Sequence, residues 1–174
     1  VGAPPAVLDI SEAPLYDYGQ QAVGSQTNHT FTVNNTGGVP ATSISGAGLV
    51  PPFDFEGGAY PGTTGTCGAT LAAATSCTIV ITYSPTALAA DTDTIDLNYD
   101  DGVVAQVANR DVQGTGVNPA LLTIDQGPTF NYGTLATGSV TPNTFNISNT
   151  GDVPANNITC LLYTSDAADD GLGV

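Results

Sequence analysis

The chain has no Lys, no Met and no Trp, and it carries a single Arg (Arg110) and a single His (His29) among 174 residues. Sixteen Asp and Glu face that one Arg, for a formal net charge of -15. Phosphate backbones and anionic lipid surfaces are held by Lys and Arg, so nucleic acid and membrane are poor partners for such a chain. The acidity reads first as a solvated surface and second as a capacity for cations. No apolar run reaches the roughly 18 residues that a membrane-spanning helix needs, and no basic and apolar leader is visible. Position 1 is Val, so the sequence is expected to be an internal or processed piece. Helical periodicity is missing as well; the nearest candidate, ATLAAATS at 69–76, is short and reads as loop.

What is present is a repeat. Residues 6–44 align without a gap on residues 120–158 at a shift of 114, with 19 of 39 positions identical. Ile10 and Ile124, and Phe31 and Phe145, fall at strand positions expected to point inward, while Gly37 and Gly151, and Pro40 and Pro154, fall at turns. A tandem array with a period near 114 residues follows.

Within one period the signals are for strands. VLDI (7–10), HTFTV (29–33), TSIS (42–45), CTIVITY (77–83), DTIDLNY (93–99) and VVAQVANRDVQG (103–114) are rich in β-branched and aromatic residues and are separated by Gly, Pro, Asn and Asp. Phe31 and Val33 alternate with Thr30 and Thr32, and Ile95, Leu97 and Tyr99 with Thr94, Asp96 and Asn98, each set marking one buried face. Asp100-Asp101-Gly102 signals a hairpin turn. Short strands at this spacing predict an all-β fold of immunoglobulin-like β-sandwich repeats, one complete and one truncated. Residues 117–159 hold only the opening strands, so the inward residues Leu122, Ile124, Phe130, Phe145 and Ile147 are expected to lack an opposing sheet.

Cys67 and Cys77 admit three readings: a disulfide, half of a metal site, or free thiols. Zinc sites want four ligands at characteristic spacings, and one His cannot complete such a set, which favours the disulfide and with it an oxidising compartment. Cys160 has no cysteine counterpart, because the repeat aligns it with Gly46.

Candidate sites are few. His29 is the only imidazole; it is expected to face solvent, and its repeat counterpart is Asn143. Asp54 and Glu56 alternate on an extended segment, without a Trp to stack on sugar. Asp91, Asp93 and Asp96 are weak calcium candidates, since the stretch lacks the residue pattern of an EF-hand loop. The long loop 46–76 offers Phe53, Phe55 and Tyr60 as exposed ligand-binding candidates for a glycan or protein, against a competing reading as partly buried core. The Asn-x-Ser/Thr matches at Asn28, Asn34, Asn146 and Asn157 are assigned no role. No catalytic residue, metal site or cofactor is expected beyond weak calcium binding.

YDYGQQAVGS (16–25), HTFTVNNTGGVPATSISGAGL (29–49), CGATLAAATSCTIVITYSPT (67–86) and VQGTGV (112–117), in that order and spacing, resemble the immunoglobulin-like repeats of ASH/Hydin type in bacterial surface proteins described as choice-of-anchor D. The resemblance implies a secreted or cell-surface array with a C-terminal anchoring signal, whose partners are neighbouring repeats and surface glycans or proteins. It brings no catalytic residues with it. The expected organisation is a repeat at 1–116, a truncated second repeat at 117–159, and a tail at 160–174. That tail begins CLLYTSDAAD, which resembles a translated adapter from sequencing-library preparation, and the repeat match ends just before it. The function expected is a non-catalytic extracellular spacer or adhesive stalk; the alternative is a binding module using loop 46–76.

Overall fold

The structure is a computed structural model and describes residues 2–160. In chain order its strands are β1 (Leu8–Ile10), β2 (Leu15–Ala22), β3 (Thr27–Asn35), β4 (Ala41–Ala47), β5 (Phe53–Phe55), β6 (Thr70–Leu71), β7 (Ser76–Tyr83), β8 (Ala90–Asp100), β9 (Ala105–Val117), β10 (Leu122–Ile124) and β11 (Ile147–Asn149). One 3-10 turn, Glu56–Gly58, follows β5. The fold is all-β.

Two sheets face each other across one core. The first has the order β1-β3-β7-β5 and the second β2-β9-β8-β4-β6. Their pairings are antiparallel except that of β2 with β9, which is parallel. Alternation along each strand decides which side is buried. Phe31 and Val33 on β3, Ile79 and Ile81 on β7, Ile95 and Leu97 on β8 and Val112 on β9 are almost completely buried, while Thr32 and Asp96 between them lie part-buried; Val80, between Ile79 and Ile81, is buried as well. Burying one such side chain contributes about 1.5–3 kcal/mol, so two facing rows account for most of what holds the sheets together. This is the immunoglobulin-like sandwich that the strand pattern predicts.

Three strands escape the sequence reading. β2 carries Gly19 at φ 68, and its register against β9 shifts between Asp17 and Gln20, which interrupts the alternation. β5 and β6 are too short to show a period. The loop predicted at 69–76 therefore contains an edge strand, Thr70–Leu71, paired with Ala41 and Thr42. The predicted hairpin turn is four residues long: Asp100 pairs with Ala105, and the buried Asp101 carboxylate accepts from the Val103 and Val104 amides, both at 2.8 Å.

The single Arg is structural. Arg110 on β9 is buried and donates from Nη2 to the Ile10 carbonyl at 2.5 Å, tying β9 of one sheet to β1 of the other, with the Asp9 carboxylate at 3.8 Å. Close approach sets Gly114: a Cβ there would lie 2.5 Å from the Tyr83 ring, which explains one glycine of the VQGTGV motif.

Beyond Val117 the geometry of the first strands recurs. β10 pairs with β11 in the register Leu122 to Asn149 and Ile124 to Ile147, matching Leu8 to Asn35 and Ile10 to Val33 at the 114-residue shift. The side chains that fill the core at the earlier positions are exposed at the later ones: Ile10 is 1% exposed and Ile124 60%, Phe31 is 0% and Phe145 41%. The tail reading for 160–174 lies outside the described residues except at Cys160, an exposed free thiol.

Candidate functional site

Loop 46–76 is pinned at its far end. Cys67 and Cys77 form a disulfide with Cα atoms 4.9 Å apart, and the Thr66 and Cys67 amides both donate to the Thr78 carbonyl, at 2.9 and 3.0 Å. Closing a loop of this size removes about 3 kcal/mol of chain entropy from the unfolded state in the chain-entropy model. The cross-link draws an irregular segment onto the start of β7. A separate open cleft of about 570 Å³ lies against β5 and the far end of β7.

Pro51, Pro52, Phe53 and Phe55 line that cleft, and its polar groups are internally satisfied. Asn28 Nδ2 donates to Glu56 Oε1 at 2.7 Å, Thr82 Oγ1 donates to Asn28 Oδ1 at 2.7 Å, and Glu56 Oε2 accepts from the Thr64 hydroxyl at 2.6 Å and the Thr64 amide at 2.9 Å. The Thr64 hydroxyl and amide hold the Glu56 carboxyl below its usual range. A general acid for glycoside chemistry needs the opposite shift, so this carboxylate is poorly suited to that work.

The aromatic candidates sit otherwise than expected. Phe53 and Phe55, predicted as exposed, are 1% and 7% exposed. Both are paired into the first sheet through β7, where Phe53 stacks on Tyr83 with ring centroids 4.7 Å apart. Alternation in the short β5 turns them inward and Asp54 outward. Tyr60 is part-buried, lies edge-on to Phe55, and donates its hydroxyl to the Gly68 carbonyl at 3.1 Å. Burial raises its phenol to about 12.

The three aspartates do not converge. Asp91 and Asp93 share the side of β8 that carries Ile95, Leu97 and Tyr99, whereas Asp96 falls on the other side. Asp91 accepts from the core Tyr83 hydroxyl at 2.8 Å, and Asp93 accepts from the Val50 amide at 2.9 Å and the Thr94 amide at 2.8 Å. Among the described residues no three acidic, His or Cys side chains gather into a metal-binding group.

His29 also departs from expectation. It shares the Phe31 side of β3, is about a quarter exposed, stacks on Tyr16 with centroids 3.7 Å apart, and meets Glu12 Oε1 through Nε2 at 2.7 Å. The outward reading failed because the Thr alternation that places Thr30 and Thr32 outside places His29 inside. In the second register Gln126 and Asn143 take these two places, with Asn143 Nδ2 donating to Gln126 Oε1 at 2.9 Å. Glu12 and Gln126 have the same left-handed backbone, φ 68 and 66.

No protein-family model matches the chain, and no curated protein does. Solved structures do. A protein of unknown function from Porphyromonas gingivalis W83 is 16% identical with a TM-score of 0.51, over 66% of this chain and 49% of that one. The VesB protease of Vibrio cholerae is 16% identical with a TM-score of 0.50, over 64% of this chain and 32% of that one. The ASH / PapD-like domain 7 of human CEP192 is 12% identical with a TM-score of 0.50, over 68% of this chain and 91% of that domain. The match thus spans about a third of the protease and half of the Porphyromonas protein. At these identities the likeness is one of fold: an immunoglobulin-like domain of ASH/PapD type is among the structures that this chain resembles. Among the described residues no helix is long and apolar enough to cross a membrane, a statement that does not bear on β-barrels.

Proposed function

We propose that this chain is a non-catalytic, repeat-built structural module: immunoglobulin-like sandwiches in series, serving as spacer or adhesive stalk in a bacterial cell-surface protein of the choice-of-anchor D kind. In this reading residues 1–116 are one complete repeat, 117–159 open the next, and 160–174 are foreign to the array. The observation that carries it is the recurrence of one hydrogen-bonded register at a 114-residue shift, with only residues 118–121 between the end of β9 and the start of β10. So short a connection favours beads held in line over freely tumbling domains. The disulfide supports an extracytoplasmic location. Neighbouring repeats are the partners this arrangement serves.

Catalysis has little to draw on. The one His, the one Arg and the Glu56 carboxylate are all engaged in holding strands and loops together. The adhesive component would fall to loop 46–76, where Tyr60 is the one aromatic candidate that reaches the surface.

The test is small-angle scattering on a chain whose second repeat is completed with the counterpart of residues 46–117. An elongated particle near the summed length of two sandwiches is expected, and a compact one overturns the stalk. Resistance of the protein to proteases added to intact cells would overturn the surface location.

A further inference from the structure

Val117 ends β9 and Asn118 opens the stretch that follows, and the backbone is gripped on both sides of the bond between them. On the near side Val117 pairs with Ala22 on β2, and its carbonyl accepts from the Val23 amide at 2.9 Å. Gly116 is fixed as well: its amide donates to the Ala89 carbonyl at 2.8 Å, and a Cβ there would run into the Ala87 carbonyl oxygen. On the far side the Asn118 amide and Nδ2 both donate to Asp152 Oδ2, at 3.0 and 2.8 Å, and the Asn118 carbonyl accepts from the Asp152 amide at 3.2 Å. The two sets of bonds meet at one peptide plane.

The side-chain part of the far grip belongs to this junction. At the 114-residue shift Asn118 corresponds to Pro4 and Asp152 to Gly38. The backbone bond is common to both places, since the Gly38 amide donates to the Pro4 carbonyl at 3.1 Å. Pro4, however, has no amide to donate, and a Cβ on Gly38 would run into the Pro4 ring. Asn at 118 and Asp at 152 therefore belong together: the first supplies the donors and removes the ring, and the second supplies the acceptor. Pro119 adds a restriction of its own, because the residue before a proline is held in extended backbone.

We infer that the Val117–Asn118 peptide is a stiff joint between successive repeats and that Asp152 locks it. Turning ψ of Val117 swings the plane against the first sandwich and breaks the bond from the Val23 amide. Turning φ of Asn118 swings it against the second stretch and breaks the bond from the Asn118 amide to Asp152. With the carbonyl of one plane held by one repeat and its N–H by the next, the direction of the chain is passed on without a free rotation. The inference rests on the reading of sandwiches in series, and it names the residues that would keep such a series straight or bent at a fixed angle.

The test uses the whole chain with its second repeat completed by the counterpart of residues 46–117. Nitroxides are attached at the exposed Asn109, as Asn109→Cys, and at its counterpart, and the distance distribution between them is read by double electron–electron resonance. A narrow distribution is expected. Asp152→Ala frees φ of Asn118 and should broaden it about twofold or more, whereas Asp152→Asn keeps an acceptor oxygen and should leave it narrow. One Gly inserted between Val117 and Asn118 leaves every bond named above able to form and should broaden it most. Hydrogen-exchange protection within both repeats should be the same in all these chains, which separates a loosened joint from a lost fold. A broad distribution in the parent chain overturns the joint, and so does a width that neither the insertion nor Asp152→Ala changes. A narrow distribution at short mean distance that the insertion broadens would uphold the joint and sink the elongated stalk instead.

Discussion

Asn35 and Asn149 make the same clasp 114 residues apart. In each, Oδ1 accepts from two backbone amides, Val7 and Gly37 for Asn35, Leu121 and Gly151 for Asn149, while Nδ2 donates to the carbonyl of Val39 or Val153. Gly37 and Gly151 follow two residues later because a Cβ there would run into the Pro5 or Pro119 carbonyl oxygen. The clasp is thus a local device, closing a turn against the segment that precedes β1 or β10. Tertiary structure is added to it only at the earlier position, where Asn35 is 1% exposed and Nδ2 also lies within reach of the Leu71 and Ala72 carbonyls.

The two asparagines should therefore differ sharply on truncation. Asn35→Ala strands several buried backbone groups and is expected to cost about 3 kcal/mol. Asn149→Ala removes the same partners in water and should stay within about 0.5 kcal/mol. Urea denaturation of both variants measures this, and equal losses would mean that the second clasp is buried in solution.

How much of this was legible beforehand depends on how far each feature reaches along the chain. β3, β8 and β9 could be read from alternation because each is long and one-sided, β7 from its run of β-branched residues, and the disulfide from cysteine count and the lack of further ligands. β2 could not, since its partner β9 lies about 95 residues away and Gly19 breaks its period. Phe53 and Phe55 were ambiguous because three residues do not establish a period. His29 was misjudged by position alone, since counting from Phe31 places it inward; the outward place of Asp96, away from Asp91 and Asp93, was already legible by counting from Ile95. The Asn35 clasp was missed although Asn149 repeats it, because an Asn in a turn-rich sequence gives no signal of burial.

Reduction should weaken the sandwich without unfolding it. Intact mass under non-reducing conditions should be two hydrogens below the reduced value, with the link mapping to Cys67 and Cys77. Cys67→Ala with Cys77→Ala should lower stability by about 3 kcal/mol. Free alkylation of both thiols in protein from an oxidising compartment would contradict this.

Acid should act on the β8–β9 turn. The Val104 amide, then the Val103 amide and the Gln106 side chain, hold the Asp101 carboxyl below the ordinary range of about 3.9. A depressed folded value means that its stabilisation is fully present above the unfolded value and is lost as pH falls through the folded one. Stability should hold from pH 7 down to about 5 and decline below about 4. Asp101→Asn should be less stable at neutral pH and show a shallower acid decline by urea titration; an unchanged acid limb would sink the assignment.

The Glu12–His29 pair should be replaceable by its own counterpart. Because Gln126 keeps Glu12's left-handed backbone and pairs with Asn143 without charge, Glu12→Gln with His29→Asn should keep the fold, and the coupling between the two sites should be below about 1 kcal/mol, as for exposed ion pairs generally. A coupling of several kcal/mol would mean that the pair is far better shielded from water than its exposure indicates.

Hydrogen exchange along the whole chain separates local from tertiary structure. The strands β7, β8 and β9 within residues 76–114 have their inward faces covered by an opposing sheet, and their hydrogen-bonded amides should exchange only on global unfolding. Residues 120–158 reproduce the clasp, the turns and the register of the corresponding stretch, yet β10 and β11 form a two-stranded ribbon with exposed side chains, and an isolated pair of strands is marginal in water. Their amides should exchange orders of magnitude faster. Continuing the chain with the counterpart of residues 46–116 should raise protection in 120–158 to the level of 6–44, since the inward rows would then meet an opposing sheet. If protection there is already equal without the added strands, the second stretch is docked on the first, and the in-line arrangement of repeats is wrong.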